Sequence, residues 1–193
     1  MSSTIDVISG GRFELGIGAG WKEDEWRAYG YGFPTIGERM AAFGDHLAVI
    51  TAMFEPGQAS YEGEYAHVRK AYNVPKGLQA QRIPIIVGGN GQKVTAGYAI
   101  RFADELNFVF LEPDEVAERM ASVRARCEAE GRDPATLRFS LYASDEPMRE
   151  ALSRLSQEGL VRADERRGFR VAALSLEDLS DITRMRTMLD VQA

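Results

Sequence analysis

Short apolar runs ending in glycine alternate with longer stretches in which apolar residues recur every third or fourth position. "RFELGIGAG", residues 12–20, is such a run, and the polar "WKEDEW" after it predicts a strand that empties into a loop. Thr35 with Glu38 forms a capping pattern ahead of Ile36, Met40, Phe43, Leu47, Ile50 and Phe54, whose spacing predicts a helix. The segment "EPGQASYEGEYAHVRKAYNVPKG" has no helical period and reads as an excursion with a small hairpin. "IPIIVGGNG" predicts a second strand, apolar on both faces as a covered parallel strand should be, and "QKVTAGYAIRFA" the helix after it. "ADELNFVFL" is the third strand. Val116, Met120, Val123 and Cys127 mark one face of the next helix, with Gly131 as its stop, and "LRFSLYA" is the fourth strand. Alternation of this kind from Arg12 to Ala143 predicts a parallel α/β sheet or barrel.

Beyond Ala143 the texture changes. Ser144 caps a helix carrying Met148, Leu152 and Leu155, and Gly159 ends it. "RADERRGFRVA" reads as a tight two-stranded ribbon with a charged tip. Ser175 then opens a helix with Leu179, Ile182, Met185 and Leu189 on one face. No Gly-, Ser- or Pro-rich linker marks the change, so the expected division is residues 1–143 and 144–193.

Composition narrows the function. With 193 residues and 45% hydrophobic content the chain can build one ordinary domain or two small ones. A net charge of −6 excludes a protein clothed in basic surface, so any nucleic-acid contact must come from a local patch. Cys127 is the only cysteine and His46 and His67 the only histidines, which leaves no disulfide framework, metal spacing or hydrolase triad. No signal-peptide layout opens the chain and no run of about 18 apolar residues occurs, so a cytoplasmic, non-membrane protein is expected. If chemistry occurs, a cofactor must supply it.

Three constellations carry candidate chemistry. In "PIIVGGNGQKVTAGYA" the glycines between a buried strand and a helix let backbone N–H groups approach an anion, with a phosphate as the natural guest. The alternative is that glycine simply permits a tight turn. In "LGIGAGW" the glycines do not suit a dinucleotide fingerprint, because "WKEDEW" follows where a helix should begin and its acids would repel a pyrophosphate. They suit instead a strand end lying under a flat ligand, with Trp21 and Trp26 lining the pocket or simply packing. The third constellation is arginine-rich. Arg149 and Arg154 flank one helix, and Arg162, Arg166, Arg167 and Arg170 crowd the ribbon. A recognition helix with a basic wing has this look, although composition alone favours a solvated helix with a charged hairpin.

"TIDVISGGRFELGIGAGW", "GERMAAFGDHL", "YEGEYAHV" and "PIIVGGNGQKVTAGYAIRFADELN" resemble the luciferase-like monooxygenase family, above all its flavin- or F420-dependent oxidoreductases. The resemblance runs from about Ser3 to Ala143. It implies a partial (β/α)8 TIM barrel, about strands four to seven, acting on a small-molecule substrate with FMN or F420. Gly88, Gly89, Asn90 and Gly91 would receive the cofactor phosphate, and Gly18 and Gly20 would lie near the ring. "EPMREALSRLSQEGLVRADERRGFRVAALSLEDLSDITRMRTMLD" resembles GntR-type transcription regulators. That implies a mostly helical winged-helix fragment in which Arg149, Arg154, Arg166 and Arg167 meet DNA. Since a whole barrel takes roughly 250 residues, the chain reads as two truncated proteins joined near Ser144, an oxidoreductase of impaired activity, with a DNA-binding regulator fragment or a non-functional chimera as the alternatives. A homodimer would cover the exposed sheet edges.

Overall fold

The computed structural model describes residues 1–80 and 82–142 and, as backbone, the strands Val161–Asp164 and Gly168–Val171. The helices expected after Ser144 and Ser175 lie outside the described residues. By Cα proximity the chain forms two compact units, Met1–Tyr142 and Ala143–Ala193.

Helix α1 (Ser2–Ser9) opens the first unit and ends at Gly10, whose φ of 68° gives a left-handed cap. Strand β1 (Leu15–Ile17) follows, and then α2 (Glu23–Ala28). That short helix corrects the loop expected over "WKEDEW": Glu23, Asp24 and Glu25 place negative charge in its first turn, where the helix dipole favours it. Helix α3 (Ile36–Phe54) carries the anticipated capping box between Thr35 and Glu38. Phe43 and Leu47 are buried, whereas Ile36, the first residue of the predicted stripe, is 62% exposed and lies off the packed surface.

The excursion is a hairpin of β2 (Gln58–Glu62) and β3 (His67–Tyr72), paired antiparallel. Asp45 of α3 holds it, accepting from Tyr61 Oη at 2.7 Å and Tyr65 N at 2.8 Å. The Tyr65 N–H first, and the Tyr61 hydroxyl after it, lower the Asp45 carboxyl below its ordinary value.

Next come β4 (Ile85–Gly88), α4 (Val94–Phe102), β5 (Glu105–Val109), α5 (Pro113–Ala129), a 3₁₀ turn over Pro134–Thr136 and β6 (Arg138–Tyr142). Strands β1, β4, β5 and β6 form one parallel sheet in that order, so the α/β architecture with a parallel sheet is as expected. In the second unit β7 (Val161–Asp164) and β8 (Gly168–Val171) pair antiparallel, where the ribbon was read.

Alternation of side chains across each strand decides the sheet's chemistry. One set, Ile85, Val87, Leu106 and Phe108, is buried with Ala96, Ala99 and Ile100 of α4, Val123 and Cys127 of α5, and Phe43 and Leu47 of α3. The other set contains Gly16, Ile86, Gly88, Glu105, Asn107, Arg138 and Ser140, none of them fully buried. The expectation that β4 is equally covered on both faces is therefore corrected. Ile85 and Val87 are wholly buried, while Ile86 and Gly88 are only partly so.

Polar contacts fasten α1. Asp6 is fully buried and accepts from Leu78 N at 2.7 Å, Gln79 Nε2 at 2.9 Å and Phe13 N at 3.4 Å. Burial acts to raise its carboxyl, but these bonds, led by Gln79, outweigh it and hold the group below its ordinary 3.8. A lowered carboxyl stabilises the fold above the unfolded value and loses that contribution as pH falls through the folded one. Asp6→Ala is expected to cost about 2 kcal/mol at pH 7 by stranding buried donors. In urea titrations its deficit should shrink as the pH is taken below 3.8; a deficit constant with pH would show that the charge is not what anchors α1.

Candidate functional site

Strand β4 stops at Gly88, and Gly89 turns the chain with φ 135°, a value side chains rarely adopt. The Gly89 N–H donates to Asn107 O at 3.0 Å. Asn90 then uses its whole amide on β5: Nδ2 donates to Val109 O at 2.7 Å and Oδ1 accepts from Val109 N at 3.0 Å. Its side chain locks the turn to the neighbouring strand and is spent in doing so, which leaves its backbone to face a ligand.

Helix α5 holds the other side of the loop. Arg119 Nη1 donates to Asn90 O at 2.6 Å and Arg126 Nη1 to Lys93 O at 2.7 Å. In a trans peptide the C=O of one residue and the N–H of the next point in opposite directions. Drawing the Asn90 and Lys93 carbonyls toward α5 therefore turns the N–H groups of Gly91 and Val94 away from it. No described residue accepts from the N–H groups of Asn90, Gly91, Gln92 or Lys93. Helix α4 begins at Val94, so its dipole adds to the same positive end. This array suits an anionic oxygen cluster. It also depends on missing side chains, since a Cβ at Gly91 would sit 2.5 Å from Thr95 Oγ1 and 3.1 Å from Thr95 Cβ.

The glycines of β1 lie alongside. A Cβ at Gly16 would meet nothing within 4 Å, and one at Gly18 only Gly88 O at 3.5 Å. Gly18 and Gly88 together make a patch of bare backbone at the C-terminal end of adjacent parallel strands. Gly20 is differently placed. Its φ is 71° and the Trp26 ring covers it, with Nε1 2.5 Å from where a Cβ would be. Trp26 meets Tyr31 and Phe33 edge-on at 6.3 and 6.0 Å, so it packs locally, while Trp21 is 80% exposed.

Below the glycines the same face carries charge. Arg138 Nη2 lies 2.9 Å from Glu14 Oε1 and 3.3 Å from Glu105 Oε2. The hydrogen bond to Glu14 is the largest of the effects that raise the guanidinium further above its ordinary value, so it stays charged. Cys127 is sealed in the core, where burial pushes its thiol up and keeps it protonated, unsuited to nucleophilic work. His46 and His67 are both exposed. Among the described residues no group of three His, Cys, Asp or Glu could hold a metal ion, and no helix is long and apolar enough to cross a membrane. Arg149, Arg154, Arg166 and Arg167 lie outside the described residues. The structure thus brings Gly18, Gly88, Gly89, Asn90 and Gly91 together and sets Gly20 under Trp26. Sequence reading did not find Arg119 and Arg126, seven residues apart on α5 and readable only as surface charge until their loop partners were known.

The model of one protein family, luciferase-like monooxygenase, matches residues 1–177. The chain belongs to the luciferase-like monooxygenase family. The match runs past Ser144, the position at which a junction was expected. An uncharacterized protein of Mycobacterium tuberculosis is 31% identical over 102 residues, 53% of this chain and 35% of that protein. Pyrimidine monooxygenase RutA of Stutzerimonas stutzeri is 29% identical over 152 residues, 76% of this chain and 41% of its own length. The chain therefore spans well under two thirds of these family members. An F420-dependent secondary alcohol dehydrogenase, solved in complex with an F420-acetone adduct, superposes with a TM-score of 0.64 at 21% identity, covering 80% of this chain and 47% of that one. EDTA monooxygenase from Chelativorans gives 0.61 at 16% identity over 98% of this chain and 53% of its own. These likenesses show a shared fold.

The cradle's dependence on bare backbone is directly testable. Gly91→Ala is expected to lower stability by about 1–3 kcal/mol through the clash with Thr95. Gly91→Ala with Thr95→Ala should recover part of that loss in denaturant midpoints. Equal stability of the single variant and wild type would show that the loop has room the structure does not.

Proposed function

We propose that this chain is a flavin- or F420-dependent oxidoreductase module of the luciferase-like family, built as about four strands of a (β/α)8 barrel and acting on a small organic substrate. The observation that carries the reading is the run of unpartnered N–H groups at residues 90–93, next to which the carbonyl bonds of Arg119 and Arg126 turn the Gly91 and Val94 N–H groups away from α5. A phosphate of FMN or F420 would be held there by the N–H groups from Asn90 and Gly91 onward, with Gly88 and Gly89 making the turn that presents them, and the ring would rest on the bare Gly18 and Gly88, with Gly20 beyond. The bound cofactor would supply hydride transfer, or oxygen activation with reduced flavin. The chain's own residues position it: Asn90 fixes the turn to β5, the α5 arginines orient the amides, and Gly18 leaves space for a flat ring. The fold neighbour's F420-acetone adduct and the pyrimidine monooxygenase relatives support a cofactor acting on small molecules.

FMN and F420, titrated separately and followed by ring fluorescence, are expected to show saturable binding of one of them, abolished by Gly89→Asp. That substitution introduces a side chain at φ 135° and a negative charge beside the cradle. Binding of neither cofactor to folded protein overturns the reading.

The β7–β8 ribbon favours a second reading, a GntR-like DNA-binding element over about residues 146–190, with Arg149, Arg154, Arg166 and Arg167 on the backbone or bases. Against it stands the family match, which continues to residue 177. A DNA mobility shift that weakens steeply with salt and is lost in Arg149→Ala would support it; no shift at low salt would discard it.

A further inference from the structure

The phosphate cradle leaves unused a line of polar side chains on the open face of the sheet. In register, Gly88 of β4 stands beside Asn107 of β5, and Asn107 beside Ser140 of β6; one layer below come Ile86, Glu105 and Arg138. Asn107 therefore flanks the bare patch of Gly18 and Gly88. Its Nδ2 donates to Ser140 Oγ at 2.8 Å, and Ser140 Oγ donates in turn to Glu105 Oε1. Glu105 also meets Arg138, which is shared with Glu14.

The direction of this chain of bonds is forced. An ionised carboxylate only accepts, so Ser140 must give its single proton to Glu105. The Ser140 oxygen is then left to accept, and only the NH2 end of Asn107 can serve it. Asn107 Oδ1 must consequently face the other way. It accepts nothing from any described residue, and it is not among the buried polar atoms left without a partner. On a half-buried residue, it is an unpaired acceptor of fixed orientation at the edge of a glycine floor.

We propose that Asn107 is a recognition residue for the ring on that floor. Its Oδ1 accepts a hydrogen bond from the ring's imide N–H, and Glu105, acting through Ser140, is the positioning residue that dictates which end of the amide is presented. An oxidised isoalloxazine or deazaflavin ring has that one ring N–H, flanked by two carbonyls, so a fixed acceptor can address it and a donor could not. The proposal rests on the cofactor reading above.

The test uses riboflavin and its N3-methyl derivative, which lacks the donor, with FMN and F420 as controls on the same protein. Wild type is expected to prefer riboflavin about tenfold, the size of one well-made hydrogen bond. Asn107→Ala and Asn107→Leu, each checked for folding by circular dichroism, should bind the two ligands alike, and Glu105→Gln should reduce the preference. A purely structural role for Asn107 would lower the melting temperature and leave the preference intact, which overturns the assignment, as would absence of any preference in wild type. If wild type binds none of riboflavin, FMN and F420, the cofactor reading falls and this inference with it. If binding occurs and the Asn107 variants keep the preference, only this inference falls.

Discussion

A peptide unit cannot turn its carbonyl and its amide in the same direction, and the site of this protein is built on that constraint. The glycine turn after β4 is short, and by itself glycine would leave its backbone free to point anywhere. Two guanidinium groups on α5 remove that freedom by binding the Asn90 and Lys93 carbonyls. Asn90 removes the rest by bonding both polar atoms of Val109. Three fixed points, one on β5 and two on α5, determine where the loop's N–H groups go. An anion site made this way, as proposed, would need no charged side chain in contact with its guest, which fits a chain of net charge −6.

The same sheet separates its two tasks by face. Apolar positions on β4 and β5 are sealed against α3, α4 and α5, which removes them from water and contributes most of the stabilisation. The opposite positions are glycine, short polar groups and charge. Such a face is costly to bury unless every polar group is paired, and its residues satisfy each other along one line from Glu14 through Arg138, Glu105 and Ser140 to Asn107. The member nearest the glycines, Asn107, ends with its amide oxygen to spare.

The fold was legible in the sequence wherever a local rule governed it. The spacing of Val116, Met120, Val123 and Cys127, the Thr35–Glu38 cap and the apolar runs into glycine each depend on residues close along the chain, and each element formed. The misses have physical reasons. In "WKEDEW" acidic residues looked like a loop because no apolar period marked them, yet they favour a helix start. Ile36 continued the stripe of α3 on paper, but at the first helical position it lies beyond the packed surface. The glycine cradle was visible as composition, whereas its directionality was not, since it resides in bonds between residues 29 and 33 positions apart. Beyond Ala143 the sequence suggested a second kind of protein. The family match crosses that boundary, and the hairpin found there is a motif many folds share, so its shape alone cannot choose between them.

What the site lacks follows from the same geometry. Its thiol is buried and protonated, its histidines are exposed and remote from the glycines in sequence, and its carboxylates are bound by an arginine. Glu105 does meet the Ser140 hydroxyl, but Arg138 holds the same carboxylate, and on the proposed reading these residues serve to hold, orient and discriminate a ligand. In the proposed reading, rigid amides for an anion, bare backbone for a flat ring and one oriented carbonyl at its edge form a consistent set: each would bind with little reorganisation when the guest arrives. On that reading the reactive atoms lie in the guest, and the selection of that guest is the property the chain's own residues would control.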